Sequence, residues 1–521
     1  MQASIRSALT LGIVAGVIVL LFGGWAVAVV GTMAGLALGF SLGGKLNNTH
    51  LGAALKGTIL PVILGAALMV LISLFQNSVV APAIGQSSSP IPLMINANIS
   101  GFVGFVLGSL LMIGVSTLDE RRKRIGFIVV LAVVVIAFPF VDRLTNLRWS
   151  SQLIFALIFT ILALGLNIVV GFAGLLDLGY AAFFAIGAYT TGILSSPVHN
   201  IQWNFWLVIW IAAAMAAIWG FILGAPTLPL RGDYLAIVTL GFGEIVPVLF
   251  RNLIDVTIKE PFTCWVLPGI FRLMGSDTAM KCITLMEHED LTLGEKGISP
   301  ISRPILPIIG QFQSANLVPW YFLIIAIILL SIFLIRRLRD SRLGRAWMAI
   351  REDELAAAQM GINPVATKLL AFAMGATFSG FAGAFYASYI AGIFPSVFDF
   401  SVSIIVLCMV ILGGLGNISG VIVGGLVIMG ADRLFLPALK DFLGGLLEHT
   451  LLPALAGNPT VQAAVAQNAD PILYRFLLFG LTLVIMMAVR PEGLLPSSQV
   501  RAEMHEAAAK GTGQEGSRSP S

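Results

Sequence analysis

Charge is what this 521-residue chain lacks most: Asp, Glu, Lys and Arg together make up 11% of it. A soluble globular domain carries about 25%, so a water-solvated fold is excluded, and hydrophobic residues at 58% place the chain in a bilayer. Three cysteines and five scattered histidines show no zinc spacing, and no Ser/His/Asp or paired-carboxylate grouping points to catalysis. No enzyme activity, cofactor or metal is expected. The net charge of +4 would suggest nucleic acid in a soluble protein. Here the arginines gather in loops beside apolar runs, as they do in the cytoplasmic loops of membrane proteins, and no nucleic-acid partner is expected.

What is present is a series of apolar runs near the roughly 20 residues that cross a bilayer. They fall at 8–30, 58–75, 100–118, 125–141, 153–170, 179–194, 205–223, 234–250, 321–335, 369–390, a glycine-broken pair over 401–430, and 472–489. The expected fold is an all-α polytopic membrane protein of about twelve transmembrane helices, several short or broken. Basic loops orient the set, because Lys and Arg near span ends stay in the cytoplasm. That rule puts 119–124, Arg231 and 336–368 inside, and 76–98, 195–204 and 251–318 outside. The expected organisation is an N-terminal membrane unit over 1–118, a basic linker at 119–124, a core over 125–496 and a disordered cytoplasmic tail at 497–521. Cys264 and Cys282 lie in the external insert, where a disulfide or two free thiols are both open; Cys408 lies in an apolar run.

The densest charged island follows the run 321–335. Arg336, Arg337, Arg339, Arg342 and Arg345 precede Arg351-Glu352-Asp353-Glu354, then Ala356, Ala357 and Ala358, then Gly361 and Pro364. Asp353 can cap a helix that Gly361 and Pro364 stop, giving a rigid segment of about two turns at the cytoplasmic face. Such a segment is either a handle gripped by another protein or a solvated helix that anchors a loop.

Ionisable groups inside apolar runs are costly unless they face water or a partner. Glu244 lies in a run interrupted by Gly241, Gly243 and Pro247, which reads as a broken helix beside a translocation path or gate, or as a structural hydrogen bond to a neighbour. Asp177 poses the same choice. Gly416, Gly420 and Gly424 fall four apart, as do Gly375, Ser379 and Gly383, so each set offers a small-residue face for another helix, within this chain or on a second membrane subunit. The P-loop-like spacing Gly39 to Lys45 ends in Leu46, where a hydroxyl is needed for Mg²⁺, so any ATP chemistry belongs to other chains.

Four blocks occur in one order. They are Leu166-Asn167 through Gly171-Phe172-Ala173-Gly174 into Ala185–Tyr189; Arg231-Gly232-Asp233-Tyr234 through Gly241-Phe242-Gly243-Glu244; Gly344-Arg345-Ala346 through Arg351 to Gly361; and Arg490-Pro491-Glu492-Gly493-Leu494. Together, over about 370 residues, they resemble the permease of high-affinity branched-chain amino-acid ABC importers, LivM type. The resemblance implies ABC importer permease architecture in a bacterial inner membrane. Its implied partners are a LivH-like second permease, two cytoplasmic ATPase subunits, a periplasmic substrate-binding protein and membrane lipid. The implied cargo is leucine, isoleucine and valine, with urea, short amides or other amino acids as alternatives in the same class. Arg351, Asp353, Glu354, Ala356, Ala357 and Gly361 would form the ATPase coupling segment, with Arg351 and Glu354 making charged contacts across the ATPase groove. Family segments read Glu-Ala-Ala, whereas here Leu355 separates Glu354 from Ala356. An ion-coupled secondary transporter would share the broken helices and buried acids but would not need the 353–361 handle.

Overall fold

The computed structural model describes residues 120–145, 149–199, 202–227, 233–254, 256–259, 284–307, 310–446, 470–490 and 493–495. The expected runs at 8–30, 58–75 and 100–118, the tail, and Cys264 and Cys282 lie outside these residues. Among the described residues, eight helices are long and apolar enough to cross a membrane, and a shorter apolar helix spans Tyr180–Ser195. The chain divides into two compact units, one of residues up to Gln152 with Gly430–Leu478, the other of Leu153–Met429 with the segment from Phe479 onward.

In the first unit, helix α1 (Glu120–Thr145) carries Pro139 in its interior and leaves Ile125, Ile128, Leu131, Val133 and Ile136 exposed. A helix this apolar on its outer face suits hydrocarbon as its solvent. Asp142, near its end, accepts the backbone N–H groups of Trp149 and Ser150 at 2.9 Å each, satisfying donors that the start of α2 (Trp149–Leu166) would otherwise leave open.

The second unit is built around tightly apposed helices. α2 runs on into a π-turn, Asn167–Phe172, after which residues 173–179 are non-helical. α3 (Tyr180–Ser195) then packs against α4 (Phe205–Thr227) and α9 (Pro364–Ile390). Glycines permit this approach: a Cβ at Gly380 would stand 2.7 Å from Ala213 Cα, and one at Gly187 would stand 2.6 Å from Gly380 Cα. Backbones this close exchange dispersion over their whole length, which is how helices associate where lipid removes the hydrophobic drive. Phe184, Tyr386 and Phe398 meet edge-on, and Tyr189 stacks on Phe250 of α5 (Asp233–Asn252) with ring centroids 4.0 Å apart.

α3 is short. Sixteen residues at 1.5 Å each span about 24 Å, less than the roughly 30 Å of a hydrocarbon core. Its first residue sits deep in the unit, because the Tyr180 hydroxyl donates to Gly375 O at 2.7 Å, about 16 Å along α9 from Pro364.

Among its described residues, the insert after α5 holds two small ribbons that pair antiparallel: β1 (Val256–Lys259) with β2 (Thr284–Glu289), and β3 (Ile305–Leu306) with β4 (Gly310–Gln311). Its block Thr292–Ile298 closes onto the helices. The buried Thr292 donates to Leu253 O at 3.2 Å, and Ile298 and Ile393 exchange backbone hydrogen bonds. Helices α6 (Leu317–Arg339), α7 (Arg342–Glu352) and α8 (Glu354–Gln359) lead to α9, and α10 (Phe400–Gly413), α11 (Ile418–Gly430), α12 (Leu436–Leu446) and α13 (Arg475–Val489) complete the order.

Candidate coupling site and transport path

α8 follows directly from local chemistry. Asp353 Oδ1 accepts the N–H groups of Leu355 and Ala356 at 2.8 and 3.0 Å, filling the first orphan donors of the helix. At the other end Gly361 adopts φ 87°, and the N–H groups of Gly361 and Ile362 return to the carbonyls of Ala358 and Ala357. This is a Schellman closure, which a side chain at 361 would strain. Asn363 then caps α9, with Pro364 at its first position.

α8 is fastened on one side and open on the other. Ala357 is buried, whereas Leu355 and Met360 are 71% and 84% exposed. The preceding α7 turns Gly344, Trp347 and Ile350 inward, and the Trp347 indole N–H donates to Thr367 O at 2.8 Å. Glu354 Oε1 meets the Lys368 ammonium at 2.6 Å, and Arg351 Nη1 donates to Gly171 O. Glu354 and Arg351, expected from sequence to reach across a groove to a partner, each make a contact within their own chain, and Leu355 and Met360 stand exposed on α8 among the polar Asp353 and Gln359.

The acids in the apolar runs separate. α5 is one continuous helix through Gly241, Gly243 and Pro247, not the interrupted helix the sequence suggested. A single proline removes one backbone rung and kinks a helix without ending it when packing holds the next turn. Glu244 and Gly241 lie on its open side, with nothing within 4 Å of a Cβ at Gly241. Gly243 faces the other way, where its Cβ would stand 2.9 Å from Gly179 Cα. The true interruption is at 173–179. There Leu178 N–H donates to Thr239 Oγ1, and Asp177, 1% exposed, accepts the Gly179 N–H through Oδ1.

The small-residue faces resolve into contacts within the chain. A Cβ at Gly375 would meet Val169, one at Gly383 would meet the Phe184 carbonyl, and Gly420 and Gly424 lie against Gly413 and Met409. Gly416 departs from the expected helical face: it sits in the turn between α10 and α11 with φ 77°, because the helix begins only at Ile418. Asn167 Oδ1 accepts the Gly416 N–H at 2.9 Å, a pairing 249 residues apart that no local pattern announces. Asp399 lies just outside the apolar run that begins at 401, so hydropathy alone does not single it out. It is exposed at the start of α10 and accepts from the Ser401 hydroxyl. Among the described residues no three or more of His, Cys, Asp and Glu converge as a metal site.

A family profile described as branched-chain amino acid transport system / permease component matches residues 148–486. The chain belongs to this permease family. The high-affinity branched-chain amino acid transport system permease protein LivM of Escherichia coli is 36% identical to it over 390 residues, covering 75% of this chain and 79% of that protein. LivM of Salmonella typhimurium is 33% identical over 409 residues, with the same coverage. The permease is also similar to LivH of Salmonella typhimurium, 31% identical over 125 residues, covering 24% of this chain and 39% of that protein. No solved structure gives a significant match. The matched region of the permease contains the π-turn, the 173–179 interruption, α5 and α8.

Proposed function

We propose that the chain is a membrane-spanning permease subunit of an ATP-driven importer in a bacterial inner membrane, working with a second, LivH-like permease. Two cytoplasmic ATPase subunits supply the energy, and a periplasmic binding protein delivers leucine, isoleucine or valine. The chain carries the path and does no chemistry. The observation that carries the coupling part of this reading is α8: a helix capped at both ends, fastened by Ala357 and Glu354, and presenting Leu355 and Met360 to the outside. A rigid, apolar-tipped element can seat in a groove of another protein and pass on its displacement, where a loop would absorb it. The open side of α5, with Gly241 and Glu244, is the part of this chain that faces the path or the companion permease. Asp177 stands behind it, at the start of α3. The 1–118 stretch adds an N-terminal membrane unit, 251–318 a periplasmic insert within the core sequence, and 497–521 a cytoplasmic tail.

The test is uptake of radiolabelled leucine, isoleucine and valine into proteoliposomes that hold this chain, the second permease and the ATPase subunits, with the binding protein added outside. Accumulation that needs ATP and every subunit supports the reading. Accumulation of urea or a short amide instead would overturn the cargo assignment, and uptake driven by an ion gradient without ATPase subunits would overturn the mechanism.

A further inference from the structure

Arg351 occupies the last turn of α7, three residues before α8 begins, and it stands where two other stretches of backbone meet. Its Nη1 donates to the carbonyl of Gly171, in the π-turn that ends α2. Its alkyl stem passes over Gly174, where an added Cβ would stand 2.8 Å from Arg351 Cγ and where φ is 71°. The same Nη1 lies 3.5 Å from where a Cβ on Gly416 would stand, again at a residue of positive φ. Asn167 closes the junction by binding the Gly416 N–H. Two glycines in the left-handed region thus leave room along the one side chain that crosses between them.

Both stretches beside Arg351 are interruptions of the helical framework. From Gly174 the chain runs non-helically through Asp177 to the buried start of α3, held by Thr239 and Gly243 of α5. Gly416 lies in the turn that joins α10 to α11. π-turns and non-helical interruptions are where a membrane helix can change shape without losing its remaining hydrogen bonds. The guanidinium, which presents several donors in one rigid plane, is hydrogen-bonded to the first stretch at Gly171 O and lies beside the second at Gly416.

Resting on the coupling reading of α8, we infer that Arg351 is a positioning residue: a strut that carries displacement of α8 to the interruption at 173–179 and to the α10–α11 turn, and so links the ATPase stroke to reshaping of the path around α3 and α5. The route through Glu354 and Lys368 moves α9 as a body, whereas the route through Arg351 moves the two places that can bend.

The experiment uses the assembled importer in proteoliposomes with Arg351→Gln, Arg351→Lys and Gly416→Ala. Retention of the ATPase subunits on purification, ATP hydrolysis and leucine uptake are measured together. For Arg351→Gln the expected result is retained ATPase subunits, ATP hydrolysis within about twofold of the parent, and leucine moved per ATP lowered at least about tenfold. Arg351→Lys, which keeps a cationic donor for Gly171 O, recovers part of that ratio. Gly416→Ala, which leaves Arg351 in place but strains the positive-φ turn beside it and brings a methyl 3.3 Å from the Gly171 O that Arg351 binds, lowers the ratio as well, and this keeps the inference testable if Arg351→Gln fails to accumulate. An unchanged ratio in Arg351→Gln or Gly416→Ala, or a lysine variant no better than glutamine, overturns the inference. Loss of the ATPase subunits in Arg351→Gln also overturns it, by placing Arg351 in docking. The coupling reading fails separately, if Leu355→Asp with Met360→Asp leaves ATPase binding intact.

Discussion

The Lys368 ammonium lies 2.6 Å from Glu354 Oε1, yet the two partners are unequally placed, with side chains 10% and 49% exposed. Removing one partner therefore does not mirror removing the other. Glu354→Ala strands a mostly buried cation and is expected to cost about 1–2 kcal/mol. Lys368→Met keeps the apolar stem and leaves a carboxylate that water can solvate, and is expected to cost less than about 1 kcal/mol. Thermal midpoints of the two variants and of the double variant in detergent check the order. Equal losses would mean that the burial asymmetry has no energetic consequence.

Asp353→Ala removes the acceptor for two N–H groups at the start of α8. The expected cost is about 1 kcal/mol, confined to this helix. Hydrogen exchange across 354–360 should quicken by about fivefold while α9 stays protected. Protection unchanged at 355 and 356 would show that the cap is not what holds α8.

Two glycine substitutions should behave oppositely. A methyl at Gly383 would fall 2.5 Å from Phe184 O and 2.7 Å from Ala188 N, so Gly383→Ala is expected to destabilise by about 1–3 kcal/mol. Gly241 has open space around it, and Gly241→Ala is expected to leave stability unchanged or slightly raised, because alanine favours the helix. If the open side of α5 faces the path or a companion permease, uptake nevertheless falls in Gly241→Ala. Uptake and thermal midpoint measured on the same preparations separate the two effects.

The sequence showed those features whose causes lie within a few residues. Asp353, Gly361 and Pro364 announce α8 because capping and left-handed closure are local chemistry. Most of the spans from 153 onward announce themselves because hydrocarbon demands length and apolarity. Arg351 shows the limit: its charge suggested an outward contact, but its partner is Gly171, 180 residues away, and no local pattern encodes that pairing. In the sequence, Gly241, Gly243 and Glu244 read as one broken element. Their neighbours place Gly243 against Gly179 and leave the other two on the open side of an unbroken helix. The real interruption at 173–179 carries only a Gly171-Phe172-Ala173-Gly174 signal, which in a glycine-rich membrane protein does not distinguish a bend from a packing site.

The most direct test of the account is site-specific cross-linking from α8 in the working importer. Cysteines at Leu355 and Met360 are predicted to cross-link to an ATPase subunit, with yields that change on ATP binding, while a cysteine at the exposed Val198, just after α3 ends, gives none. Absence of cross-links from both α8 positions in a complex that transports, or labelling of those cysteines by an impermeant reagent outside intact cells, would contradict it.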